Sequence, residues 1–337
     1  MKKLWILLLF LAACKHDKKI STSFYYWKTV YRSNLVEDAY LKHFKASKLY
    51  LRITDVDKDE TGRPVPVSPI IFEGKLPPSV QIVPVIFIVN NILVDFRSDQ
   101  LAELAERVAR FAKAKVNQGG RTDYNEMQID CDWTAKTKNN YFYFLNCLKQ
   151  LPELKNKLIS VTLRLHQLKN ARSCGIPPVK HVMLMCYNMG NLRKYGSQNS
   201  IIELNELKKY AGANLKDYPS KVDIGLPLFS WAVAFRDKQY IGISKSLSYD
   251  SLLNHQNFGR ISNNLFLTKN DVPQVGLERG DIIRWESSST NELAGISTYL
   301  SSRINNDTLN IIYFHLDQKL LKSYPYEQLQ KINDIWR

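Results

Sequence analysis

The sequence predicts a (β/α)8 barrel, on three observations. Eight near-continuous apolar runs of strand length recur along the 337 residues, and most are followed by a helix-like segment. The fourth run also carries two carboxylates, Asp130 and Asp132, near its carboxyl end. Near-continuous apolar strands belong to parallel sheets covered on both faces. Eight βα units in a chain of this length match a closed barrel with insertions. An open doubly wound sheet competes, but it more often has fewer strands and a glycine-rich first turn.

The amino terminus stands apart from the barrel. Met1-Lys2-Lys3 is a charged start, and residues 4–11 form an apolar run too short to span a bilayer. The run ends in Leu11-Ala12-Ala13-Cys14, which resembles the bacterial lipobox, whose cysteine becomes the lipid-modified first residue. Residues 1–13 therefore read as a lipoprotein signal peptide, Cys14 as a lipid anchor, and 14–23 as a tether. The expected location is the cell envelope, attached to a bacterial membrane, with the outer membrane favoured.

The barrel is expected over 24–336. Its strands are read at 24–30, 49–56, 81–89, 126–134, 158–165, 181–189, 222–231 and 309–316. Helices fit 36–46, 138–151, 201–211 and 326–336. The most strongly amphipathic is 99–116, with Leu101, Leu104, Ala105, Val108 and Phe111 at helical spacing. Residues 57–79 carry Pro64, Pro66, Pro69, Pro77 and Pro78 and read as an extended loop. Residues 232–288 hold short strand-like pieces and read as a small β-rich insertion after the seventh strand, beside the barrel mouth.

Composition narrows the function classes. Of 47 basic residues, Lys2 and Lys3 leave with the signal peptide, so 45 face 32 acidic ones, an excess of 13. That excess favours anionic surfaces, but the charges are scattered and no nucleic-acid-binding motif is present, so nucleic acid is not an expected partner. Cys131, Cys147, Cys174 and Cys186 read as buried free thiols, although an oxidising compartment permits disulfides. No ligand spacing suggests zinc, and no phosphate-binding loop suggests a nucleotide. Neither a metal nor a cofactor is expected.

Chemistry in this fold sits at the carboxyl ends of the strands. Side chains alternate across a strand, so Gln128, Asp130 and Asp132 share one face. Buried charges are costly without partners, which makes Asp130 and Asp132 the catalytic candidates. Candidate substrate-binding residues are Tyr26, Arg52, Arg164, His166, Tyr187, Asn188, Trp231 and His315, from the ends of six other strands. Aromatic rings stack on the C–H face of a sugar, while charged and amide groups take its hydroxyls. The competing reading is a ligand-free network in which Arg52 and Arg164 neutralise the two aspartates.

Two aspartates on one strand, about 7 Å apart at their Cα atoms, lie side by side. A glycosidic bond needs carboxyls on opposite sides of it, so Asp55, Asp57 or Asp317 would have to supply the second. The alternating Asp55, Asp57 and Asp59 lack the glycine and terminal Glu of a calcium loop and read as a solvated segment.

Ile129-Asp130-Cys131-Asp132-Trp133 resembles the fourth-strand signature DxxDxDxE of family 18 glycoside hydrolases, the chitinase-like barrels. Met185-Cys186-Tyr187-Asn188 is similar to their sixth-strand Met-x-Tyr-Asp, and 224–229 to their seventh-strand Gly-hydrophobic-Pro-x-Tyr segment. The chain also resembles bacterial lipoproteins of the same barrel type, such as domain-of-unknown-function family 3142. The resemblance implies a TIM barrel over 24–336 and a glycan partner.

It also exposes departures. Where that family has its general-acid Glu, this chain has Thr134, and a threonine hydroxyl cannot serve as the acid. Met127 replaces the first Asp, Asn188 replaces the sixth-strand Asp, and the eighth strand has no tryptophan. The expectation is a membrane-anchored lipoprotein whose barrel mouth binds or processes glycans. The alternative is a non-catalytic glycan-binding or structural lipoprotein of an envelope complex.

Overall fold

The computed structural model describes residues 18–244 and 246–337. The expected signal peptide and Cys14 lie outside the described residues. Eight parallel strands form the centre: β1 (Lys19–Tyr26), β2 (Lys48–Lys58), β3 (Gln81–Ile88), β4 (Glu126–Cys131), β5 (Leu158–Leu163), β6 (His181–Met185), β7 (Lys221–Pro227) and β8 (Thr308–Phe314). Each pairs with its sequence neighbours, and β1 pairs with both β2 and β8, closing the ring. Closure excludes the doubly wound sheet. The fold is the expected (β/α)8 barrel.

Six principal helices surround it: α1 (Leu35–His43), α2 (Ser98–Gln118), α3 (Lys138–Gln150), α4 (Leu204–Ala211), α5 (Thr290–Ser301) and α6 (Tyr326–Asp334). Their starts are chemically marked. The Asn34 side chain accepts the backbone N–H groups of Val36 and Glu37 at the head of α1. Ser289 and Glu292 form a reciprocal capping box at the head of α5. In α2, Leu101, Leu104, Ala105 and Val108 are buried, as the periodicity requires.

Several boundaries differ from expectation: β4 and β6 stop at Cys131 and Met185, short of the expected 134 and 189, and three more differ for a local reason. Strand β1 begins at Lys19, so Lys19–Ser23 belong to the sheet and not to the tether. Apolarity alone misses them because the lower barrel interior is polar: Ser23 Oγ donates to Asn310 Oδ1 at 2.8 Å. Strand β5 stops at Leu163, and a short helix (Leu165–Lys169) begins just beyond Arg164. Strand β7 stops at Pro227, and a new strand, Ser230–Arg236, starts the insertion.

The insertion is a five-stranded antiparallel sheet. Ser230–Arg236 pairs with Gln239–Ser244 on one side and Ile282–Ser287 on the other, followed by Leu265–Thr268 and Phe258–Arg260. It has its own small core, including Ala232, Phe266 and Ile283. The proline-rich segment after β2 is also more ordered than a loop. Pro64–Val67 folds back antiparallel on β2, and Ile71–Phe72 pairs with Val30–Tyr31.

Inside the barrel, polar side chains occupy the lower levels. Glu126 of β4 accepts from Lys48 Nζ at 2.5 Å and from Ser160 Oγ at 2.6 Å. Asp223 of β7 accepts the Asn310 backbone N–H at 3.0 Å. One level higher, the Tyr25 hydroxyl donates to Gln128. These groups satisfy one another and leave the upper level free to face a ligand.

Candidate functional site

A cavity of about 570 Å³ opens at the carboxyl ends of the strands. Its walls are aromatic, with Trp27, Phe87, Tyr187, Phe229, Trp231 and Phe314. Tyr187 stacks on Phe314 at 5.2 Å, and Phe229 packs against Trp231 at 5.1 Å. Asp55, Asp130, Thr162, Arg164, Asn188 and His315 supply the polar groups.

Asp130 is buried at the base of this cavity and accepts a hydrogen bond from Thr162 Oγ1 at 2.6 Å. Loss of hydration pushes its carboxyl up to about 6, outweighing the opposing pull of Arg164 and the Thr162 hydroxyl. Asp132 sits just past the end of β4 and does not line the cavity. Arg164 grips it bidentately, Nε to Oδ1 at 2.5 Å and Nη2 to Oδ2 at 3.2 Å. The two aspartates thus differ in environment: one is a buried carboxyl at the cavity base, the other half of a partly exposed ion pair.

Asp55 reaches the cavity through a bulge. The pairing of β2 with β3 slips between Arg52 and Thr54, so Arg52 opposes Val85 while Asp55 opposes Phe87. The slip reverses the alternation and turns Asp55 inward. Phe87 in turn opposes Asp130 on β4, so both aspartates stand at one level, two strands apart. Two inter-strand spacings correspond to roughly 9–10 Å between their Cα atoms. Arg52 does not line the cavity; its Nε donates to Asp55 Oδ1 at 2.9 Å and its Nη1 to the Ser68 carbonyl at 2.9 Å.

Tyr187, Asn188, Trp231, Arg164 and His315 all line the mouth. Asn188 has a φ of 55°, a left-handed conformation that asparagine tolerates better than most residues. Burial pushes the His315 imidazole down to about 4, so it is neutral at pH 7, and its Nδ1 lacks a hydrogen-bond partner among the described residues. Two other candidates lie elsewhere. Tyr26 faces the outside of the barrel, donating its hydroxyl to the Val30 carbonyl at 2.9 Å, and Trp27 takes the cavity position. His166 is exposed on the short helix after β5, off the cavity, because the strand ends before it.

Of the other carboxylates considered as a partner, Asp317 pairs with Lys28 at 3.1 Å and caps the following helix. Asp57 accepts the Lys58 backbone N–H at 2.7 Å. Neither lines the cavity. Phe87, Phe229 and Phe314 carried no polar signal and emerge only from the closed geometry. Cys131, Cys147, Cys174 and Cys186 are free thiols. Among the described residues, no three His, Cys, Asp or Glu side chains are grouped to hold a metal.

The insertion supports one wall. Trp231 Nε1 donates to Glu286 Oε2 at 3.0 Å. Glu286 also accepts from Arg284 Nε at 2.5 Å and from the Ser200 backbone N–H at 2.8 Å. Arg284, fully buried, spends its remaining donors on the carbonyls of Leu192, Lys194 and Gly196. One ion pair therefore joins the insertion, the loop after β6 and the cavity wall.

No protein-family model matches the sequence, and no curated protein matches it. Solved structures do. The chain is similar to the spore cortex-lytic enzyme SleL of Bacillus cereus, with a TM-score of 0.54 and 14% identity over 95% of this chain and 75% of that one. It is equally similar to a chitinase from Chromobacterium violaceum, with a TM-score of 0.54 and 10% identity over 94% and 99% of the two chains. The second catalytic domain of the Ostrinia furnacalis group II chitinase, solved as a mutant in complex with (NAG)5, gives 0.53 and 11% over 95% and 96%. Identities this low speak for the fold. The chain has the glycoside-hydrolase-like fold of a chitinase-like TIM barrel.

Proposed function

We propose that this is a lipid-anchored envelope protein whose barrel mouth binds glycan chains, a lipoprotein of the kind grouped in domain-of-unknown-function family 3142. The observation that carries the reading is the cavity itself: seven aromatic rings, Tyr25 among them, surround two aspartates, an arginine, an asparagine and a neutral histidine. This is the composition a sugar needs, with flat apolar faces for its C–H surface and directional polar groups for its hydroxyls. The N-terminal lipobox-like sequence supports anchoring through Cys14.

Hydrolysis by the family 18 route has no support here. Thr134 is exposed, lies outside the cavity lining, and receives no help from Asp132, which Arg164 occupies. A different hydrolytic arrangement has one specific observation in its favour. Asp130, protonated below about pH 6, and Asp55 face the same cavity from β4 and β2. Their Cα atoms stand roughly 9–10 Å apart, and carboxyls held about 6.5–9.5 Å apart would leave room for a water between them, the inverting geometry. In that reading Asp130 donates the proton to the leaving oxygen and Asp55 activates the water.

A panel of chitooligosaccharides, peptidoglycan fragments and neutral polysaccharides, applied to residues 18–337, separates the readings. Binding that Trp231→Ala weakens tenfold or more supports the glycan site. Turnover abolished by Asp130→Asn adds the enzyme. Absence of binding to every glycan would overturn the proposal.

A further inference from the structure

Both poles of the barrel carry ion pairs and also exposed basic residues without one among the described residues, Lys136, Lys169, Arg193 and Lys194 on the mouth side; the amino pole differs in where its unpaired lysines stand. Around the mouth, Lys28 is paired with Glu37 and Asp317, Lys58 with Asp95, Arg97 with Asp99, and Arg164 with Asp132. At the opposite pole, where the strands begin, Lys48, Lys113 and Lys157 are paired with Glu126 and Asp123. Six further lysines of that pole have no ion pair among the described residues. Lys19, Lys45, Lys75, Lys155, Lys180 and Lys216 enter β1, β2, β3, β5, β6 and β7 respectively, and all six are exposed. Glu153, Asp217 and Asp307 are the exposed acids of those segments left outside such pairs. The result is a basic ring around one end of the barrel.

The chain also enters at this pole. Lys18 Nζ donates to the carbonyls of Ser301 at 2.8 Å and Ile304 at 2.6 Å, which fixes the start of β1 beside the loop before β8. Because β1 begins at Lys19, only residues 15–17 separate Cys14 in sequence from Lys18, the first described residue. Fully extended, the link from Cys14 to Lys18 spans about 14 Å. An anchored barrel therefore keeps its basic pole close to the headgroups, near the range of about 8 Å over which physiological salt leaves charge attraction effective. That step rests on the reading of Cys14 as the anchor; the distribution of lysines does not.

We infer that the amino pole is a docking face for an anionic lipid surface, so that the barrel stands with its mouth turned away from the membrane. Lys45 and Lys75 also line, with Lys42 and one carboxylate, Asp38, a cleft of about 670 Å³ at the side of this pole, which has room for a phosphate headgroup beside three lysines. A lysine beside an anionic bilayer strengthens association about fivefold, so a ring of six outweighs three scattered acids.

The test uses residues 18–337, which hold every described strand and helix of the barrel, with sedimentation on vesicles. Phosphatidylcholine vesicles mixed with phosphatidylglycerol should bind the protein, pure phosphatidylcholine should not, and high salt should release it. Lys45→Glu, Lys75→Glu, Lys155→Glu and Lys180→Glu together should lower partitioning by at least about tenfold. The same reversal on the mouth side, Lys136→Glu, Lys169→Glu, Arg193→Glu and Lys194→Glu, should change it little. Equal loss in both sets would mean that net charge alone acts, and binding to neither vesicle would mean that the face does not dock; either overturns the inference. None of the four pole residues lines the mouth, so their variant should keep any glycan binding intact, and the two readings fail separately.

Discussion

Asp55 and Asp130 stand on one register line of the barrel, each opposite Phe87 of β3, and project into one cavity from strands two apart. Their environments are unequal. Asp55 is held by Arg52, whereas Asp130 is buried against the Thr162 hydroxyl with its carboxyl raised to about 6. A raised carboxyl keeps its proton longer in the folded state than in the unfolded chain. Folding stability contributed by Asp130 is therefore complete below about pH 4 and falls as pH rises through about 6, after which it is level.

Asp130→Asn should remove that penalty. The amide keeps an acceptor for Thr162 and needs no charge in the interior. Expected in urea denaturation is a gain of about 1–3 kcal/mol at pH 7, with little change at pH 4. Asp223, raised to about 6 by the same loss of hydration, stays in the variant and should preserve part of the slope between pH 4 and 6. A variant less stable than the parent at pH 7 would contradict a costly buried carboxyl.

The barrel was legible in the sequence because long buried strands and amphipathic helices announce themselves through periodicity. The inward face of each strand was less so. Phe24 and Tyr26 alternate with Tyr25 and Trp27, and both faces are aromatic, so the pattern contains no parity signal. The choice is made across the barrel, where Tyr25 meets Gln128. The bulge after Arg52 reversed parity within β2, and the stop at Leu163 carried His166 off the sheet. Asp130 was readable because it lies on a barrel strand whose position the eight-unit pattern already set; Tyr187, two residues past β6, and Trp231, on the first strand of the insertion, reach the cavity from just beyond the strands that pattern located.

Trp231 owes its orientation to a charge pair it does not belong to. Glu286 accepts from Trp231 and Arg284 together, and both members of the pair are fully buried. Removing one partner leaves the other charged and dry, at a cost of about 3–5 kcal/mol. Glu286→Ala should lower the thermal midpoint strongly and also blue-shift or broaden the Trp231 environment in fluorescence. Trp231→Phe, at a half-buried position, should leave the midpoint nearly unchanged while weakening glycan binding. Similar stability losses in both variants would mean that the tryptophan, not the ion pair, holds the insertion in place.

Gly225 lies on the inner face of β7, opposite Met185. A Cβ there would stand 2.5 Å from Met183 Sδ and 3.3 Å from Tyr187 Cε1. The methionine is flexible, but the ring of Tyr187 is stacked on Phe314 and has little freedom to retreat. Gly225→Ala should therefore cost about 1–3 kcal/mol and reduce ligand affinity together, since the displaced ring is part of the cavity wall. Loss of stability with affinity unchanged would show that Met183 alone absorbs the methyl group.

A glutamate placed at position 134 should not create a chitinase. Thr134 follows the buried Trp133, but it is exposed itself and turned toward the start of α3, where its backbone N–H donates to Thr137 Oγ1 at 3.0 Å. Thr137 in turn donates to Asn90 Oδ1 at 2.6 Å, which ties this turn to the segment after β3. A glutamate at position 134 would begin in solvent with an ordinary carboxylate environment, short of the desolvation that raises a general acid toward neutrality. Asp132 stays locked on Arg164. Thr134→Glu should thus give no release of product from chitooligosaccharides at any pH between 4 and 8 (a range of about four units spanning the usual carboxylic acids). Measurable turnover would mean that the loop closes over bound sugar and that the cavity needs only a proton donor to work by the family 18 route.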